Sequence, residues 1–282
     1  MAQLALQDPA YVMGRSEAEA RRLMLQARLY DRITRRFLAD AGLAKGMTVL
    51  DVGSGAGDVA LAAADLVGPT GRVVGVDANP LVLEMARTRA GEEGRDNVVF
   101  VAGDCRSAAL GDGFDAAVGR LVLMYTGDVT ESLQAIADRV KPGGIVAFAE
   151  ADFSSVLGYM HAGPAGVNRS LWDWGARAFA CAGVHTAMAA ELNRAFLAAG
   201  LGVPEMTLQA PLCGADGWSG YEWAAASLCS LLPVLEQYGI VTAEILEPES
   251  LAARCRAEVA QTGFPFMMIP LVTAWAQKPV GI

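Results

Sequence analysis

Val49-Leu50-Asp51-Val52-Gly53-Ser54-Gly55-Ala56-Gly57-Asp58 is the stretch from which the rest of the chain becomes readable. The apolar run over residues 47–52 reads as a short strand, and the glycines behind it form a turn that opens a helix. Glycine at positions 53, 55 and 57 lets the backbone approach a ligand closely. The carboxyl end of a first strand is also where open α/β sheets bind nucleotide-type ligands. The dinucleotide fingerprint requires glycine at its first, third and sixth places. Asp58 holds the sixth place here, so the spacing argues against NAD or FAD. Asp51 stands two places before the first glycine, where a carboxylate suits a cationic group better than a pyrophosphate.

Outward from this turn, strand and helix signals alternate for about a hundred residues. An alanine-rich helix stops at Gly68-Pro69, and residues 72–76 form a second strand. Asn79-Pro80 supplies an N-cap and a first-turn proline for a helix through Ala90. Residues 97–102, 114–118 and 145–149 are further strands. A helix with Leu133, Ile136, Ala137 and Val140 on one face links the last two, ending at the turn Lys141-Pro142-Gly143-Gly144. Short apolar strands separated by helices predict a parallel sheet covered on both faces, and right-handed crossovers make it doubly wound.

Before this unit, Ser16 and Glu19 fit a capping box, and Leu23, Ala27, Tyr30, Ile33, Phe37 and Ala41 recur at helical spacing. After Glu150 the rhythm changes, and residues 152–185 hold both histidines, two tryptophans and several glycines, a composition suited to a helical lid. A helix over about 188–199 and a strand over about 205–210 resume the sheet. Residues 218–238 and 248–261 read as helices, and 264–275 as a final strand. The expected fold is α/β: a doubly wound, mostly parallel seven-stranded sheet with helical lid insertions. Residues 1–45 form an N-terminal helical cap, and 46–282 one domain with lids at about 152–187 and 212–262.

The chain has 282 residues, 53% of them hydrophobic, enough to bury one substantial core. With 22 Lys and Arg against 31 Asp and Glu the formal charge is −9, so a phosphate backbone is not the expected partner and nucleic acid drops away. Cys105, Cys181, Cys213, Cys229 and Cys255 show no ligand or disulfide spacing and suit a reducing compartment. Asp8, Glu17 and Glu19 stand where a secretory leader would be apolar, so a cytoplasmic protein is expected. The most apolar stretches, 223–235 and 263–276, are short and broken by prolines, so no membrane span is expected. A mean hydropathy of +0.32 leaves apolar surface for a core, a homodimer interface or a greasy pocket.

Four pieces recur in order: Asp51 with the G-x-G-x-G turn, Asp77 in Val74-Gly75-Val76-Asp77-Ala78-Asn79, Asp104 in Val101-Ala102-Gly103-Asp104-Cys105, and Arg139-Val140-Lys141-Pro142-Gly143-Gly144. Together they resemble the motifs of class I S-adenosylmethionine-dependent methyltransferases, over roughly residues 47–150. The overall pattern is similar to the quinone-biosynthesis and natural-product members. The resemblance implies S-adenosylmethionine as cofactor, with Asp51, Gly53, Ser54, Gly55 and Gly57 in its first turn. It implies that Asp77, next to Ala78, accepts hydrogen bonds from both ribose hydroxyls. Asp104 and the Cys105 amide would meet the adenine. Arg120, ending the fourth strand, would face the methionine carboxylate, an anionic substrate, or an acidic neighbour such as Asp51 or Glu150.

The resemblance also narrows the chemistry. The Asn/Asp-Pro-Pro-Tyr motif of members that methylate nucleic-acid bases is absent from residues 119–125. Arg120 replaces the ligand aspartate of the metal-dependent catechol type, so no metal is expected. His161 and His185 are the candidate bases. Glu150 and Asp152, at the end of the fifth strand, sit where this fold often meets substrate. Trp172, Trp174, Phe179, Trp218, Tyr221 and Trp223 either line an apolar pocket or pack the lid onto the sheet. Tyr11, Gln26 and Tyr30 occupy the segment that closes over the donor in small-molecule members. The expected activity is methyl transfer to a small, largely apolar acceptor with an oxygen, nitrogen or activated-carbon nucleophile. The alternatives are a non-catalytic S-adenosylmethionine-binding module and an NAD-linked oxidoreductase, the latter disfavoured by the glycine spacing.

Overall fold

The computed structural model describes residues 17–106 and 110–280. Tyr11, Ser16 and the Glu19 side chain lie outside the described residues. In chain order the first elements are α1 (Glu17–Asp40), β1 (Thr48–Val52), α2 (Asp58–Val67), β2 (Arg72–Asp77), α3 (Pro80–Glu92), β3 (Val98–Ala102), β4 (Phe114–Arg120), α4 (Val129–Asp138) and β5 (Val140–Ala151). They are followed by α5 (Phe153–Ala162), α6 (Val167–Cys181), α7 (Met188–Ala198), β6 (Glu205–Gln209) and β7 (Leu212–Cys213). The last are α8 (Gly220–Ser230), α9 (Leu232–Gln237), α10 (Ala243–Leu246), α11 (Leu251–Thr262), β8 (Phe266–Met267) and β9 (Leu271–Gln277).

Seven strands make one sheet in the order β3-β2-β1-β4-β5-β9-β6. β1 to β5 are parallel, and β9 lies antiparallel between β5 and β6. The chain steps outward from β1 to β3 and then returns to β4 on the other side of β1. The order therefore reverses between β1 and β4, which opens a crevice at their carboxyl ends. Strand alternation divides the core in two: Val49, Val73 and Val118 pack under α2 and α3, while Leu50, Val74 and Phe148 face the opposite layer.

Three local readings are corrected by the structure, each at a proline or glycine. The helix expected over 218–238 is broken between α8 and α9, where Pro233 falls in the first turn of a new helix. The strand expected over 264–275 divides at Pro270. Phe266–Met267 pairs with Leu212–Cys213 in a separate two-stranded ribbon, and only Leu271–Gln277 joins the main sheet. The turn expected at Lys141–Gly144 is the irregular start of β5, with Gly143 at φ +78° donating to the Lys278 carbonyl. The segment expected as a lid folds as α5 and α6. Among the described residues no helix is long and apolar enough to cross a membrane.

Candidate functional site

The crevice between β1 and β4 holds a cavity of about 300 Å³. The turn after β1 forms its floor. Gly53 and Gly55 adopt left-handed φ of +64° and +52°, a region costly for other residues. A Cβ on Gly53 would lie 2.6 Å from Val122 Cγ2, so this glycine lets the loop after β4 press onto the turn. A Cβ on Gly55 would meet nothing within 4 Å, because that position faces the cavity. Asp77, at the end of β2, accepts from the Gly55 amide at 2.9 Å and the Asn79 amide at 2.8 Å. Its carboxylate lines the cavity and has lone pairs for further donors.

Beneath the floor lies Asp51, fully buried, with no well-formed hydrogen bond to either carboxylate oxygen. The Ala60 amide offers it only a weak interaction. Burial pushes its pKa well above the usual carboxylate range; Arg120 opposes the rise, and Asp58 and Asp77 reinforce it. The Ser54 hydroxyl, in the cavity lining, is also buried without a partner. Arg120 lines the same cavity but is held firmly, donating to Thr34 Oγ1 at 2.7 Å and Asp58 Oδ2 at 2.9 Å. Arg89 grips the other oxygen of Asp58 at 2.6 Å. Asp58, the residue that displaces the sixth glycine of a dinucleotide turn, thus ties α2 to the end of β4 and to α3.

The structure puts several expected site residues elsewhere. Glu150 does not line the cavity. It is fully buried and accepts from the Val122, Leu123 and Met124 amides at 3.2, 3.0 and 3.3 Å, so it anchors the loop after β4 from behind. Burial raises its pKa to about 7, against the lowering effect of those amides. His161 is exposed, with Nε2 2.8 Å from Asp173 Oδ1. His185 donates its ring Nε2 to the Thr126 carbonyl and its backbone amide to the Met124 carbonyl, outside the lining. Asp152 caps α5 and accepts from the Ala189 amide. Asp104 is exposed and paired with Arg106, which lowers its pKa, and Cys105 next to it is a half-buried thiol whose pKa burial pushes up to about 11. Gly57 closes the turn against Ala86 and Phe100. Ala78 does line the cavity.

Of the aromatic candidates, Phe179 and Trp223 reach the cavity, and Gln26 and Tyr30 of α1 do so as well. Trp172, Trp218 and Tyr221 pack around Phe266 instead. Sequence reading used Asp58 only to argue against a dinucleotide turn, not as a site residue, and did not single out Thr34 or Ser227. Asp58 carried a signal, as the acid directly behind the glycine turn; Thr34 and Ser227 carried only their place on a helix face.

An adenosyl sulfonium ligand fits these residues. A carboxylate at the β2 end can accept from ribose hydroxyls, Gly55 leaves room for close backbone approach, and a cationic group above the unpartnered Asp51 would favour the ionised form that burial alone disfavours. Comparison with known proteins points the same way. The model of a family described as "Methyltransferase domain" matches residues 43–177. The demethylmenaquinone methyltransferase of Lactococcus lactis is 31% identical over 118 residues, which is 42% of this chain and 47% of that protein. That of Staphylococcus aureus is 34% identical over 113 residues, covering 40% and 46%. The chain thus spans about half the length of these curated relatives. The YcgJ protein of Bacillus subtilis shares the fold with a TM-score of 0.56 at 18% identity, over 89% of this chain and all of that one. The phosphoethanolamine N-methyltransferase 2 of Haemonchus contortus does so with a TM-score of 0.53 at 16% identity, over 88% and 52%. By its fold, the order of its motif residues and these matches, the chain is similar over residues 43–177 to the class I S-adenosylmethionine-dependent methyltransferases, those of quinone biosynthesis among them.

Proposed function

We propose that the protein transfers a methyl group from S-adenosylmethionine to a small, largely apolar acceptor bound in the same cavity. The observation that carries this reading is the two-part lining. The strand ends contribute Asp77, Asn79 and Ser54, whereas Leu121, Met124, Phe153, Phe179 and Trp223 bring apolar side chains to the same lining. When bound, S-adenosylmethionine supplies a methyl group already activated on a sulfonium centre, so the protein's task is placement and water exclusion. Asp77 would hold the ribose, and Asp51 would balance the positive end of the donor. Tyr30 donates to the Ile269 carbonyl at 2.8 Å and meets Trp223 edge-on at 6.0 Å, which joins α1 to α8 across the cavity. Arg120, fixed by Asp58 and Thr34, would give its charge to the cavity wall without swinging into it. Neither histidine and not Glu150 reaches this space, so the acceptor would bring a nucleophile that needs no strong base at the site.

Five unpaired cysteines support a reducing, cytoplasmic setting. The deciding experiment is calorimetric titration with S-adenosylmethionine, S-adenosylhomocysteine and NAD. Saturable binding of the first two and none of NAD is expected. NAD binding without binding of either sulfur ligand would overturn the reading.

A further inference from the structure

α8 carries a feature that donor binding at the strand ends leaves unused. Trp223 and Ser227 are four residues apart, so they share one face of the helix. Both line the cavity. Trp223 is 4% exposed, yet its indole Nε1–H has no protein partner. The Ser227 hydroxyl is likewise buried without one. A helix serine usually settles this locally by donating to the carbonyl four residues back. Ser230, on the same helix, does so to Ala226 at 3.0 Å, and Ser170 does so to Gly166 at 2.9 Å. Ser227 does not. Buried donors normally find a partner, so two unpaired ones on the helix face that lines a cavity point to a ligand group that completes them.

The chemistry of the two side chains defines that group. An indole N–H can only donate, so its partner must be an acceptor, and a hydroxyl beside it can donate to the same atom. Much of the surrounding wall is apolar, although Arg22 and Gln26 of α1 also line it: Tyr30 packs edge-on against Trp223, and Phe179, Met124 and Leu121 line the same space. We infer that α8 is the acceptor-recognition element, with Trp223 Nε1–H and Ser227 Oγ–H donating to one hydrogen-bond-accepting oxygen, of carbonyl or phenolate type, on an otherwise apolar molecule. This rests on the reading of the cavity as a combined donor and acceptor site. It makes Trp223 and Ser227 the residues that select oxygen-bearing acceptors over hydrocarbons of equal shape.

The test uses matched probes that differ by a carbonyl oxygen: 1-tetralone against tetralin, and benzophenone against diphenylmethane. Affinities are measured by calorimetry on the full chain, with and without saturating S-adenosylhomocysteine. The indole N–H resonances of ¹⁵N-labelled protein are followed in parallel, with Trp223→Phe assigning the signal. Each ketone is expected to bind on the order of threefold to tenfold more tightly than its hydrocarbon. The Trp223 resonance is expected to move downfield with ketone only, and Ser227→Ala and Trp223→Phe should each reduce the preference. Ser227→Ala removes a single oxygen, so together with the wild-type resonance it decides the matter if Trp223→Phe fails to fold. Equal binding within both pairs, no binding by any probe, or a preference untouched by both variants would overturn the assignment. A ketone preference that depends on α8 in a protein that fails to bind S-adenosylhomocysteine would support the α8 assignment and overturn the methyltransferase reading.

Discussion

At the scale of single residues, three buried or half-buried acids in one small region have different fates. Asp77 meets the cavity, Asp51 lies unpartnered below it, and Glu150 is consumed in holding three amides. Replacing Asp77 by Ala should weaken S-adenosylhomocysteine binding by about 1–3 kcal/mol in calorimetry, because charge-assisted hydrogen bonds to the ribose are lost. Unchanged affinity would remove Asp77 from the donor site. Glu150 makes a prediction about pH. Its folded pKa is raised from 4.5 to about 7, so the folded state keeps a proton that the unfolded chain releases. The associated stability is fully present below about pH 4.5 and is lost as pH rises through 7. Glu150→Gln removes this titration, so the stability difference between variant and wild type should change by on the order of 3 kcal/mol between pH 4.5 and 8. Urea unfolding across that range measures it, and parallel pH profiles for the two proteins would show that Glu150 does not titrate as described.

At the scale of elements, the turn after β1 and the loop after β4 work as a pair. Gly53 lets Val122 pack onto the turn, and Leu121, beside it, holds a left-handed φ of +59° that a leucine rarely adopts. Glu150 secures that loop from behind through the next three amides. Gly53→Ala places a Cβ in collision with Val122 on a backbone already at positive φ. It should lower stability by about 1–3 kcal/mol and weaken ligand binding as well, read from urea midpoints and calorimetry together. A neutral result would mean that the turn and loop are not in close contact. Arg120 is the second joint, linking β4 to α1 through Thr34 and to α2 through Asp58. Arg120→Ala leaves the Thr34 hydroxyl without this donor and Asp58 with Arg89 alone, and should destabilise by about 1–3 kcal/mol.

At the scale of the whole molecule, the sheet brings the ends of β1, β2 and β4 to one crevice, and the helices after β5 roof it. A ligand that binds only this assembled state stabilises it by mass action. S-adenosylhomocysteine at 100 times its Kd should therefore raise unfolding stability by about 2.7 kcal/mol, whereas NAD should leave it unchanged. Absence of a thermal shift with S-adenosylhomocysteine would contradict a donor site in the crevice.

The sequence by itself determined the alternation of strands and helices, the glycine turn, and the acids closing β1 and β2. These are local features: side-chain period, glycine at positive φ, and a strand end followed by a cap all act within a few residues. It also carried the motif order that marks the methyltransferase domain. Only the tertiary structure decided what the later residues do. Glu150 and His185 stand near the expected mouth in chain order, yet each is taken up by backbone groups of residues 122–126, contacts between elements far apart in sequence. Pro270 ends one pairing and Leu271 begins another because β9 must insert between β5 and β6, a constraint that exists only once both strands are in place. Whether a tryptophan or a serine is satisfied, or faces a cavity with its donor unpaired, depends on every element around it, which no spacing along the chain encodes.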